Sequence, residues 1–119
     1  AGSLGPGAAT ADAWSSSWWH LPSGNIRCRY YPDIGGARVI ACTTLNDRFW
    51  IAMRPGAKPW HGYGWSGWSP FYAGPTLRYG DTWTVRRTFR CWSARTGVTC
   101  KSLVRRHGFF LSRTSYRAW

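Results

Sequence analysis

The sequence predicts an all-β fold, a small disulfide-clipped sandwich or open barrel of about six or seven short strands. Three observations predict it. No window of the 119 residues carries a convincing helical period. Short runs rich in Val, Ile, Thr and aromatic residues alternate with clusters of Gly, Pro, Asn and Asp. The four cysteines fall in two close pairs, Cys28 with Cys42 and Cys91 with Cys100, each spanning a run, a turn and a second run.

The elements follow in order. Residues 1–13, AGSLGPGAATADA, are small and poor in apolar side chains. They end Ala11-Asp12-Ala13, an A-x-A pattern of the kind signal peptidases cut, so they read as the end of a signal peptide or a flexible leader. Residues 14–119 read as a single secreted β domain. Residues 25–31 form a strand, Pro32-Asp33-Ile34-Gly35-Gly36 a turn, and residues 37–45 the returning strand. An aromatic segment, Phe49 to Arg54, follows as a third strand. Residues 55–75 carry four Pro and five Gly among their rings, and read as a long loop or short edge strands joined by turns. Residues 76–80 and 82–86 read as a turn between short strands. Residues 88–93 start another strand, Ala94-Arg95-Thr96-Gly97 make a tight loop, and residues 98–104 return. That four-residue loop sets Ser93 opposite Val98, so Cys91 faces Cys100. Residues 109–113 form a further strand, and residues 112–119 allow at most one turn of helix.

The two cysteine hairpins share a pattern of apolar-Arg-Cys, turn, Val, Cys, small hydroxyl and Leu, then a third strand. Ile26-Arg27-Cys28 matches Phe89-Arg90-Cys91. Residues 25–54 and 88–113 are therefore expected to be a twofold pseudo-repeat of three-stranded meanders, with the same strand order in both halves. Of the three possible cysteine connectivities, the local one follows from these hairpins. Each bridge would contribute about 3 kcal/mol through the entropy of its closed loop. Paired cysteines point to an oxidising, extracellular or cell-envelope compartment. Their spacings are unlike those of zinc or thioredoxin-like sites. His20, His61 and His107 are not at metal-ligand spacing, and neither a metal nor a cofactor is expected.

Charge bounds the function. Sixteen Lys and Arg face four Asp and no Glu, for a net charge of +12, and fourteen of the cations are Arg. A GC-rich genome would explain Arg over Lys but not the absence of Glu. The surplus cations must face solvent, lie on rings or meet an anionic partner. No apolar run reaches membrane-spanning length. The missing Glu also weakens most acid–base mechanisms. Asp33, Asp47 and Asp81 sit in turn contexts, so paired carboxylates for glycoside hydrolysis would have to come from turn residues. His107 is the one low-weight catalytic candidate. It would need an orienting acid and a nucleophile, and the spacing of Ser112 and Asp81 recommends neither.

Two binding constellations stand out. Trp60, Tyr63, Trp65, Trp68, Phe71 and Tyr72, spaced by Gly and Ser, could form a stacking platform for sugars or bases, or could instead cover the core. Arg86, Arg87, Arg90 and Arg95, with Arg105, Arg106 and Arg113, could form a basic patch for phosphate or carboxylate polymers, or a solvated strand face.

Four motif groups carry a resemblance. They are Leu21-Pro22-Ser23-Gly24-Asn25-Ile26-Arg27-Cys28, then Leu77-Arg78-Tyr79-Gly80, then Phe89-Arg90-Cys91 with Gly97-Val98-Thr99-Cys100, and His107-Gly108-Phe109-Phe110-Leu111-Ser112-Arg113 with Tyr116. In that order the chain resembles small secreted proteins of actinobacteria that form a family of unknown function, from about Leu21 to Trp119. The family commonly has a further Cys pair near a Trp-Gly segment, where this chain has the cysteine-free loop 60–72. Arg106 stands where a Gly often precedes the His. The resemblance implies export and a disulfide-clipped domain, and no established activity. The expected function is a non-catalytic binding or envelope-associated module. It would recognise an anionic or glycan polymer of the cell envelope through Arg and Trp/Tyr, with nucleic acid bound only as a nonspecific polyanion. A small secreted hydrolase using His107, or a purely structural or interaction protein, are the alternatives. Oligomeric state is not legible.

Overall fold

A computed structural model describes residues 17–64 and 74–119. Ten strands occur among them: β1 Trp18–His20, β2 Ile26–Ile34, β3 Ala37–Thr44, β4 Phe49–Met53, β5 Trp60–Tyr63, β6 Thr82–Val85, β7 Phe89–Ala94, β8 Gly97–Ser102, β9 Gly108–Leu111 and β10 Tyr116–Ala118. They form two five-stranded sheets, each a simple antiparallel meander, ordered β1-β2-β3-β4-β5 and β10-β9-β8-β7-β6. The expected all-β sandwich is the fold. Neither sheet closes on itself.

Local chemistry sets the hairpins. Between β2 and β3, Gly35 and Gly36 adopt φ of 61° and 83°, and the Asp33 carboxylate accepts the Gly36 N–H at 2.9 Å. Pro32 has no N–H to give the ladder, and the register shifts between Tyr31 and Ile34. Between β3 and β4 the Asp47 carboxylate accepts the Thr44 hydroxyl and, at 3.2 Å, the Phe49 N–H. Both acids thus serve turns. In the β7–β8 hairpin Ser93 faces Val98 and Cys91 faces Cys100, as the loop length requires. The two disulfides join Cys28 to Cys42 and Cys91 to Cys100, residues directly opposite on adjacent strands.

Period-two alternation then sorts the side chains. Across the first sheet one inward row runs Trp19, Cys28, Cys42, Ile51, His61; across the second it runs Trp83, Cys91, Cys100, Phe109, Ala118. The rows meet face to face. Trp19 and Trp83 are fully buried with ring centroids 5.7 Å apart. At the other edge the Tyr116 hydroxyl lies 3.0 Å from His61 Nε2. Strand β1 therefore stacks near β6, and β5 near β10.

The strand order is the same in both halves, as the pseudo-repeat requires. The repeating unit is five strands, however, and not the expected three. Strands β1 and β10 went unread in the sequence, and β10 occupies residues read as at most a helical turn. Each has three residues and too little pattern of its own. Both are fixed by pairing, β1 to β2 and β10 to β9. The repeat extends to an exchange of roles. Trp50 on β4 covers Gly62 on β5, where an added Cβ would lie 2.6 Å from the indole. In the second sheet the Gly is on β9 and the Trp beyond β10: a Cβ on Gly108 would lie 2.8 Å from Trp119.

Candidate functional site

The outward faces of the two sheets differ. On the first, Tyr31, Val39, Ala41 and Ala52 form a second buried cluster with Trp50 packed on it. The Arg29 guanidinium lies between two rings, 3.9 Å from the Trp18 centroid and 4.2 Å from Tyr31. Thr43 on this face is buried too, its hydroxyl donating to the Phe49 carbonyl at 2.7 Å. The centre of that face is covered by its own side chains, while at its β5 edge Trp60 stays exposed with Arg54 beside it.

On the second sheet the corresponding rows read Thr82, Trp92, Thr99, Phe110, Arg117 and Thr84, Arg90, Lys101, Gly108 with the Trp119 ring over it. Measured from the paired cysteines, Trp92 takes the place of Arg29, Thr99 of Ala41, Phe110 of Ala52 and Lys101 of Thr43. Here Thr82, Trp92, Thr99 and Phe110 are half-buried, and Thr84, Arg90, Lys101, Arg117 and Trp119 are exposed. Lys101 lies 5.7 Å from the Trp92 ring and Arg117 5.3 Å from Phe110. Neither row contains an acid.

Ring contacts hold part of the surplus charge. Arg29, Arg54, Arg95, Lys101 and Arg117 each lie on an aromatic ring. A ring steadies a cation by about 0.5–1 kcal/mol at an exposed site without neutralising it. Rings do the positional work that carboxylates do elsewhere, and the field stays positive.

The predicted cations divide. Arg86 and Arg87 lie in the turn before β7, and Arg105 and Arg106 in the loop after β8. Antiparallel pairing of β7 and β8 puts both at one end of the sandwich, joined by the Leu103 N–H to the Thr88 carbonyl at 2.9 Å. Arg38 from the first sheet reaches the same place, donating to the Thr88 hydroxyl at 2.7 Å. The Ser102 hydroxyl accepts the N–H groups of Val104 and Arg105, at 3.0 and 3.2 Å, and donates to the Pro55 carbonyl. That holds the Arg105–Arg106 loop and ties the sheets together. Arg90 stands on the open face beside this end. Arg113 follows β9 at the opposite end, near Arg95.

Of the aromatic platform, Trp65, Trp68 and Tyr72, with Phe71, lie outside the described residues. Trp60 and Tyr63 are exposed on β5, 38% and 72%. Trp60 projects outward with Arg54 5.4 Å from its ring, while Tyr63 projects inward beside Phe49. They do not share one stacking surface.

His107 is half-buried, and its Nδ1–H donates to the Trp119 main-chain carbonyl at 3.0 Å. Its own carbonyl accepts the Ser102 N–H. The length of β9 separates it from Ser112, and the spacing of about 3.4 Å per residue keeps the two side chains apart. Among the described residues no nucleophile–base–acid chain is assembled around His107. Among the described residues no three His, Cys, Asp or Glu side chains come together as metal ligands.

Where β5 and β10 meet, a shallow groove of about 740 Å³ is lined by Lys58, Pro59, His61, Tyr116, Arg117 and Trp119, with Ala118. Arg117 and Trp119 belong to both the groove and the open face, which makes one continuous cationic, ring-bearing surface. Trp92, Lys101, Phe110, Arg117 and Trp119 were not singled out from the sequence. Their outward orientation follows from alternation with Cys91 and Cys100; the openness of that face does not.

Among protein-family models, curated proteins and solved structures, none matches this chain. No helix of the described residues is long and apolar enough to cross a membrane. Two disulfides with no free cysteine are compatible with an oxidising, extracellular setting.

Proposed function

We propose that the chain is a secreted, non-catalytic module that binds an anionic polymer of the cell envelope along the open face of the second sheet. The observation that carries this reading is the contrast between the two outward faces of one repeated fold. The first is covered at its centre over buried Tyr31, Val39, Ala41, Thr43 and Ala52, with Trp60 and Arg54 exposed only at its β5 edge; the second presents exposed Arg90, Lys101 and Arg117 across its centre beside half-buried Trp92 and Phe110, with no acid between them.

An anionic polymer fits better than a neutral glycan. Cations already lie on the Trp92 and Phe110 rings, so the face offers positive charge first and ring surface second. Guanidinium groups bind phosphate or carboxylate bidentately. The rings beside Lys101 and Arg117 limit the side-chain entropy those two lose on binding. The ordered end bearing Arg86, Arg87, Arg105 and Arg106 would extend the track, and the groove at Lys58 and His61 would continue it around the edge.

The test is binding to a sequence-neutral phosphodiester, a thymidine oligonucleotide, across a salt series, beside a neutral chitin oligosaccharide. The reading expects affinity for the polyanion that falls steeply with salt, and none for the neutral glycan. Salt-independent binding, or preference for the neutral sugar, would overturn it. The hydrolase alternative would rest on His107 Nε2, because Nδ1–H is bonded to the Trp119 carbonyl, and neither Ser112 nor Asp81 is brought to it.

A further inference from the structure

A second concave site lies at the end of the sandwich opposite the Arg105–Arg106 loop, away from the polymer face. It is a cleft of about 380 Å³. Its floor is apolar, made by Leu21 and Ile26, both buried. Arg95, from the β7–β8 turn, and Arg113, after β9, both line it. The Arg95 guanidinium lies 5.5 Å from the Tyr79 ring, which also lines the cleft. Ser23, Thr96 and Thr114 add hydroxyls at its rim.

At Gly97 the β7–β8 turn, which lines the cleft, packs tightly against β9. The Gly97 φ is 149°, and a Cβ there would lie 2.2 Å from the Leu111 carbonyl oxygen, so no larger residue fits. Nearby, the Ser112 hydroxyl accepts the Ser115 and Thr114 N–H groups at 3.0 and 3.3 Å, which fixes the turn that carries Arg113 and Thr114. The acid on the far side of Arg113 is Asp47, whose carboxylate takes the Thr44 hydroxyl and the Phe49 N–H.

We infer that this cleft is a discrete site for one anionic saccharide unit, a sugar ring bearing a phosphate or carboxylate. Two guanidinium groups supply the charge complement. An aromatic ring, an apolar floor and rim hydroxyls are the complement of a sugar, which shows one face of C–H groups and an edge of hydroxyls. The size suits one or two sugar units and not a folded polymer. This site is independent of the polymer-face reading: it shares no residue with the open face or the groove.

Calorimetric titration with glucose 6-phosphate, glucuronate, glucose and inorganic phosphate tests it. Binding of either anionic sugar, tighter than glucose and tighter than phosphate, is expected, and the stronger of the two names the anionic group. Arg95→Ala and Arg113→Ala, both at exposed positions, should each weaken that binding about tenfold or more, the worth of a charge-assisted hydrogen bond, with unchanged thermal unfolding. The variant R90A/K101A/R117A should bind the sugar as the wild type does. The inference is overturned if glucose or bare phosphate binds as tightly as the charged sugars. It is overturned equally if none binds, or if the face variant loses the sugar while the cleft variants keep it.

Discussion

Removing Arg90, Lys101 and Arg117 together leaves the fold intact, because all three are exposed and project away from the core. What changes is the salt dependence of polyanion binding. A bound cation that neutralises one phosphate of a single-stranded polymer adds about 0.7 to the slope of log K against log salt. Three such contacts make a difference of about 2 between wild type and R90A/K101A/R117A. Over a fourfold rise in salt the wild type should therefore lose about 20-fold more affinity than the variant. Fluorescence anisotropy of a labelled thymidine oligonucleotide, titrated at several salt concentrations, measures both slopes, and thermal unfolding checks the fold. Equal slopes would refute the reasoning, because the three cations would then make no phosphate contact.

The core carries predictions of its own. Trp83→Ala removes a fully buried ring packed at a tilt against Trp19, and should cost about 3–5 kcal/mol in urea unfolding; Trp92→Ala, half-exposed on the opposite face, should cost far less. Similar losses for the two would contradict the assignment of inner and outer faces. Replacing either cysteine pair by Ala should cost about 3 kcal/mol, slightly more for the Cys28–Cys42 bridge, whose sequence separation is 14 against 9. Denaturation midpoints of the two double variants check the size and the order.

The sequence made the cysteine hairpins legible because their loops are short: once Gly97 closes a tight turn, Cys91 can only face Cys100. The repeat was legible for the same reason, in its central strands. Its outer strands were not. Trp18-Trp19-His20 is too short to show alternation, and Tyr116-Arg117-Ala118 becomes a strand only beside Phe109, Phe110 and Leu111. The turn roles of Asp33 and Asp47 could be read from their neighbours, Pro32 with Gly35-Gly36 and Asn46.

The site was half legible. The excess of Arg and Trp was plain, and Arg90 was among the residues it pointed to. Which rings matter was not plain, because Trp83 and Trp92 look equivalent in a list. Register decides between them: Trp83 faces Cys91 on the inner row, while Trp92 is one residue out of phase with it. Whether an outward face is sealed depends on contacts far apart in sequence, such as Trp50 over Gly62 and Arg29 between Trp18 and Tyr31. No local pattern announces those.

The central claim is that the open face of the second sheet is where the polymer binds. The most direct measurement is the set of tryptophan indole N–H resonances during titration with the oligonucleotide. The account predicts that the Trp92 and Trp119 signals move with saturation, while those of buried Trp19 and Trp83 stay in place. Movement confined to Trp18 and Trp50 on the sealed face, with Trp92 and Trp119 unmoved, would contradict it.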